Sequence, residues 1–170
     1  MPFLPLTSTD PDFFAGKNSF DPLHPRLLIF TEGTILGPRH WWEFFNDRGY
    51  VTINLCAEKI RRWYAQGARI AYLTSRRRPD DVAAIAKILT DAGLPGSTLY
   101  YRGNREEYHH VAENLIPDVL IEDDCRSIGG QRNWTITYVD HQIKPRIHSI
   151  IVREFGGIGH LPDSLSDLLS

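Results

Sequence analysis

Three short polar stretches carry groups able to handle a phosphate together with a divalent cation: Glu32-Gly33-Thr34, Thr74-Ser75-Arg76 and Glu122-Asp123-Asp124. Open turn amides and hydroxyls suit phosphate oxygens, and clustered carboxylates suit a hard cation such as Mg2+. Carboxylates crowded together repel one another unless a cation or a donor neutralises them. Each stretch also has a plain structural reading. Thr74 and Ser75 serve equally as a helix cap, Asp123 and Asp124 as a turn, and residues 76–78 (RRR) as a solvated charge run. Taken singly they are weak signals; their order along the chain is what counts.

Each stretch follows an apolar run short enough to be a buried strand. Residues 26–36 read RLLIFTEGTIL, residues 69–74 read RIAYLT, and residues 118–121 lead straight into the acids. Continuous apolar runs of this kind suit strands covered on both faces, as in a parallel α/β sheet. Helical patterns alternate with them. Residues 54–66 carry Leu55, Ile60, Trp63 and Tyr64 on one side, with Asn54 as the expected cap and Gly67 as the stop. Pro79 and Asp80 open a second helix, which Gly93 and Pro95 close. Asn104 and Glu107 resemble a capping box ahead of Tyr108, Val111, Ala112 and Leu115. Residues 97–101 are a further strand candidate. Strand–helix alternation implies right-handed crossovers, which gather the polar strand ends along one carboxyl edge, where open α/β sheets bind ligands. Further on, residues 135–139 and 147–152 read as strands and residues 165–169 as a short final helix.

Residues 1–25 stand apart as an extended arm. They hold five of the eleven prolines, interleaved with Phe3, Phe13, Phe14 and Phe20. Those rings are expected either to pack on the domain or to join two copies of the chain. Residues 26–170 form one domain in this reading. Aromatic density at Trp41, Trp42, Phe44, Phe45 and Tyr50 fits a lid over the crevice as well as ordinary core packing.

In order and content, the strand ends resemble the haloacid dehalogenase-like superfamily of phosphatases and related hydrolases. There an apolar strand is followed by Asp-x-Asp-Gly-Thr, a second strand ends in Thr or Ser, a Lys or Arg comes third, and a last strand ends in paired acids. RLLIFTEGTIL matches the first motif, RIAYLTSR the second and PDVLIEDD the fourth, over residues 26–130. The resemblance implies a three-layer, Rossmann-like parallel sheet with helices on both faces. The short span between the first two motifs leaves no room there for a large cap domain. It also implies phosphate binding by Gly33, Thr34, Thr74 and Ser75, with Arg105 or Arg102 as the third-motif cation. Asp123 and Asp124 would hold Mg2+.

One departure decides the functional expectation. Aligning Gly33-Thr34 on the family's Gly-Thr puts Phe30 at the nucleophilic Asp and Glu32 at the acid/base Asp. A phenyl ring has no lone pair with which to attack phosphorus or ligate magnesium. The expectation is a degenerate phosphatase site that binds a phosphorylated small molecule, or a regulatory or scaffold protein, with weakened Mg2+ binding. The alternatives are a divergent hydrolase using Glu32 as general base with a metal on Asp123 and Asp124, and a structural subunit with an idle crevice. Cys125 should be a poor nucleophile, since acidic neighbours raise a thiol's pKa. His109 and His110 should diverge on their helix.

The bulk properties agree with a small-molecule protein. At 170 residues, 42% apolar and 24% charged, the chain is long enough for one buried core. A formal charge of -2 gives no global field to recruit nucleic acid or an anionic membrane. No apolar run approaches the roughly 20 residues needed to span a bilayer. With no secretory pattern and two cysteines only, Cys56 and Cys125, a cytoplasmic setting is expected.

Overall fold

Every residue of Arg26–Phe30 (β2) is buried, and the alternation of its side chains explains why. Leu27 and Ile29 enter one apolar core, whereas Leu28 and Phe30 enter another on the opposite face of the sheet. A period of two with both faces covered produces a run with no polar member. The computed structural model describes residues 2–7, 20–40 and 49–170.

Around β2 the strands are Leu4–Leu6 (β1), Arg69–Leu73 (β5), Thr98–Tyr100 (β6), Val119–Asp123 (β7) and His148–Val152 (β8). They form one six-stranded sheet in the order β1-β6-β5-β2-β7-β8, parallel throughout. Leu36–Pro38 (β3) and Tyr50–Thr52 (β4) make a small antiparallel pair beside it. The helices are Cys56–Ala65 (α1), Pro79–Asp91 (α2), Tyr108–Leu115 (α3), Thr135–Tyr138 (α4) and Leu165–Leu168 (α5). α1, α2 and α5 supply the first core, with Ile60, Trp63, Val82, Ile85, Leu89 and Leu165. α3 and α4 supply the second, with Val111, Ala112, Leu115 and Ile136.

The chain therefore winds from β2 through β5 to β6 on one face and returns over the other to β7. The winding reverses between β2 and β7, and such a switch point opens a crevice at the carboxyl ends of the strands. At the opposite end of the same two strands, Asp118 clamps Arg26. Its carboxylate accepts from the Arg26 amide at 2.7 Å, from Nε at 3.1 Å and from Nη2 at 3.0 Å, all buried.

Several local expectations are corrected. The amino-terminal segment is more than an arm, because residues 4–6 enter the sheet as its edge and Phe3 packs edge-on to Tyr72 at 5.3 Å. Phe13, Phe14 and residues 41–48, including most of the expected lid, lie outside the described residues. Asn54 has φ 41°, in the left-handed region, so Leu55 precedes α1 instead. Glu107 and His110, not Asn104 and Glu107, form the capping box of α3. Residues 135–139, read as a strand from their β-branched content, begin with α4. Tertiary context wins there: the buried carboxylate of Glu122 accepts the amides of Thr135 at 2.7 Å and Ile136 at 3.2 Å, which starts a helical turn. No helix among the described residues is long and apolar enough to cross a membrane.

Candidate functional site

β2, β5 and β7 end together, and the turn after β2 is shaped largely by its own backbone. Thr31 accepts from the amides of Ile35 at 3.0 Å and Leu36 at 2.8 Å, and Gly33 donates to the Leu36 carbonyl at 2.9 Å. That turn throws Glu32 across to β5. Its carboxylate accepts from Thr74 Oγ1 at 2.6 Å, from the Ser75 amide at 3.1 Å and from Thr31 Oγ1 at 2.5 Å, and Arg76 Nε lies 3.2 Å from Oε1. Three hydrogen bonds therefore reach the carboxylate, and the Arg76 guanidinium adds its charge beside them.

Beside this cluster opens a cleft of about 730 Å³. Phe30 lies in its wall with its ring edge-on to Tyr108, centroids 4.9 Å apart. Asp123 lines it from β7, accepting from the Cys125 amide at 2.8 Å and from the buried Thr34 hydroxyl at 3.4 Å. Burial first, and the charge of Glu154 second, push the Asp123 carboxyl up from the usual range. Glu122 is pushed further, to about 7, mainly by burial and against the two amides it accepts. The Cys125 thiol is pushed up strongly by burial and by Asp123, Glu122 and Glu154. These shifts follow from burial and from carboxylates lying close together at the end of β7 and in the loop after β8.

The expected site residues divide in three. Phe30, Glu32, Gly33, Ser75 and Asp123 come together at the cleft, and Thr74 reaches it through Glu32. Thr34 is fully buried and holds Asp123, and the Gly33 amide is already spent within its own turn. Asp124 and Arg105 go elsewhere. Asp124 accepts from the amides of Arg126 at 3.3 Å and Glu154 at 3.1 Å, so it ties the β7 loop to the loop after β8. Arg105 is exposed and borders a separate hollow with Thr7, Glu106 and His110. The cation that lines the cleft is Arg102, stacked over the Tyr108 ring at 3.8 Å and bonded to Glu107 at 2.9 Å.

The arginine run splits in the same way. Arg76 joins Glu32, Arg77 donates to the Glu106 carbonyl at 2.9 Å, and Arg78 faces solvent near Asp81. His109 and His110 do not diverge; their rings lie 4.0 Å apart, and His109 lines the cleft. Trp134, Tyr138, Glu154 and Phe155 also line it, and no sequence signal pointed to them, because their segments carry no strand-end motif.

The donor set does not fit magnesium. Mg2+ demands near-octahedral oxygen ligation, yet Phe30 contributes no oxygen, Asp124 faces away and the Glu32 oxygens are occupied. Among the described residues, no three His, Cys, Asp or Glu side chains are gathered to hold a metal ion.

No protein-family model matches the chain, and no curated protein matches it in sequence. Solved structures do resemble it. A class C acid phosphatase from Bacillus anthracis, solved with tungstate bound, is 14% identical with a TM-score of 0.51, covering 79% of this chain and 68% of that one. A chain of the Pnkp1/Rnl/Hen1 RNA repair complex is 12% identical with a TM-score of 0.51, covering 79% of this chain and 45% of that one. At such identities the likeness concerns fold alone, a three-layer, Rossmann-like α/β sheet that the chain shares with these structures.

Proposed function

We propose that this protein is a catalytically silent member of the haloacid dehalogenase-like fold that binds a phosphorylated small molecule in the cleft without hydrolysing it. One observation carries the reading: at the end of β2, where attack on phosphorus would begin, stands the benzyl side chain of Phe30, packed on Tyr108. Cys125 is held as a thiol, and a thiol attacks far more slowly than a thiolate.

The geometry also weighs against Glu32 as general base. A base must take a proton from the water it activates, and the Glu32 carboxylate already accepts three hydrogen bonds and faces the Arg76 charge, which favours its ionised, engaged form. Binding is favoured by the Arg102 guanidinium on the cleft wall and by the Ser75 amide and Arg76 guanidinium, which a phosphoryl group would take over from Glu32. The cleft volume lies within the ~300–1,000 Å³ typical of small-molecule sites. Two free cysteines suit a reducing compartment, and the reading places the protein in the cytoplasm.

The test is turnover and binding measured together. Against a panel of phosphomonoesters with Mg2+ or Mn2+, the expected hydrolysis is that of the buffer blank, while at least one panel member raises the melting temperature. Turnover that disappears in Glu32→Gln would replace this reading with the hydrolase.

A further inference from the structure

We infer that the carboxylate of Glu32 occupies an oxyanion seat in the cleft, so that the protein is closed by its own side chain until a phosphoryl group displaces it. The inference deepens the reading of a phosphate-binding cleft and rests on it.

The seat is defined by what converges on Glu32. The Thr74 hydroxyl and the Ser75 amide come from the end of β5, more than 40 residues away in sequence, and both donate to one carboxylate, with the Arg76 guanidinium paired beside it at 3.2 Å. Thr31 adds a third hydrogen-bond donor from the neighbouring position. A hydroxyl, a main-chain amide and a guanidinium meeting at one point form a general oxyanion receptor, since each donates and the guanidinium neutralises charge. A carboxylate and a phosphoryl group present the same kind of oxygen to them. Glu32 itself is 9% exposed at its side chain, yet it borders the cleft with Ser75 and Arg76. Removing its carboxylate therefore opens the donors toward the cavity.

The rival account makes Glu32 a latch that only fixes the loop after β5. Both accounts expect a loss of stability when Glu32 is removed. Only the seat expects a gain of anion affinity. Occupancy and charge both oppose an incoming oxyanion in the wild type, because Glu32 fills the space and repels a second negative group at contact distance. Glu32→Ala removes both effects. Glu32→Gln removes the charge and keeps the bulk, and its amide nitrogen is itself a donor that faces the other donors.

The experiment is calorimetric titration of inorganic phosphate, and separately of the phosphomonoester panel, into the wild type, Glu32→Ala, Glu32→Gln and Glu32→Ala/Thr74→Val. The expected result is phosphate affinity at least about tenfold higher in Glu32→Ala than in wild type, with a smaller rise in Glu32→Gln and a return to the wild-type value in the double variant. Equal phosphate affinity in wild type and Glu32→Ala would overturn the inference. If Glu32→Ala fails to fold, Glu32→Gln decides alone, and an unchanged affinity there overturns it. The two readings fail separately. Wild-type binding of a phosphomonoester with no gain in the variants removes the self-occupied seat and leaves the function. A gain for inorganic phosphate with no phosphomonoester bound by any form does the reverse.

Discussion

A β-carbon on Gly33 would lie 2.6 Å from Asp123 Oδ2, so the turn after β2 and the acid ending β7 share one space. Gly33 also holds φ +80°, a conformation that side chains resist. Gly33→Ala should therefore cost about 2 kcal/mol or more, combining left-handed strain with the displaced carboxylate. Urea denaturation measures it. The double variant Gly33→Ala/Asp123→Ala should recover the steric share and leave about 1–2 kcal/mol of backbone strain. Simple additivity of the two single variants would show that the residues do not compete for this space.

The inner strands were legible because they are apolar runs bounded by polar turns and buried on both faces, whereas the edge strand at residues 4–6, largely exposed and carrying Pro5, gave no such pattern. Phe30 and Glu32 were legible as departures for the same reason, since Gly33 and Thr34 pin the register between them. What stayed hidden was direction. Asp123 and Asp124 are adjacent, so a strand end points them to opposite sides, and only Asp123 reaches the cleft. Composition near residue 135 favours a strand, whereas Glu122, thirteen residues upstream, supplies the acceptor that makes it helical. The choice of Arg102 over Arg105 likewise depends on stacking with Tyr108 and not on spacing.

Arg26 and Asp118 tie β2 to β7 at the end remote from the cleft, and both are almost wholly buried. Removing one partner leaves the other charged and desolvated. Asp118→Ala should lower stability by about 3–5 kcal/mol. Replacing both, as Arg26→Met with Asp118→Leu, should cost less than either single truncation, since no uncompensated charge remains. Chemical denaturation of the three variants checks this. A double variant less stable than both singles would mean that the pair contributes more than its burial costs.

Cys125 is only partly exposed, and its thiol is held in the protonated form by burial and three nearby carboxylates. Alkylation by iodoacetamide at pH 8 should run at least about tenfold slower than that of a free cysteine thiol, because the thiolate is the reacting species. Asp123→Asn should speed it by removing one of those charges, since after burial Asp123 raises the thiol most. A rate that Asp123→Asn leaves unchanged would point to shielding by neighbouring side chains.

Glu122 turns burial into pH dependence. Its carboxyl is raised from 4.5 to about 7 in the folded protein, first by burial. Between those values the native state keeps a proton that the unfolded chain has released, so unfolding sheds a proton and becomes easier as pH rises. Stability should fall from about pH 4.5 to about pH 7 by an amount on the order of 3 kcal/mol from this group. Asp123, raised in the same sense, adds a smaller fall of the same sign. Urea midpoints at pH 5 and pH 8 measure the sum, with the higher midpoint expected at pH 5. Glu122→Gln cannot titrate and should remove most of the difference while leaving the share due to Asp123. A variant that keeps the full wild-type slope would assign the pH dependence to other groups, and would mean that Glu122 is already ionised at pH 5 by virtue of the amides of Thr135 and Ile136.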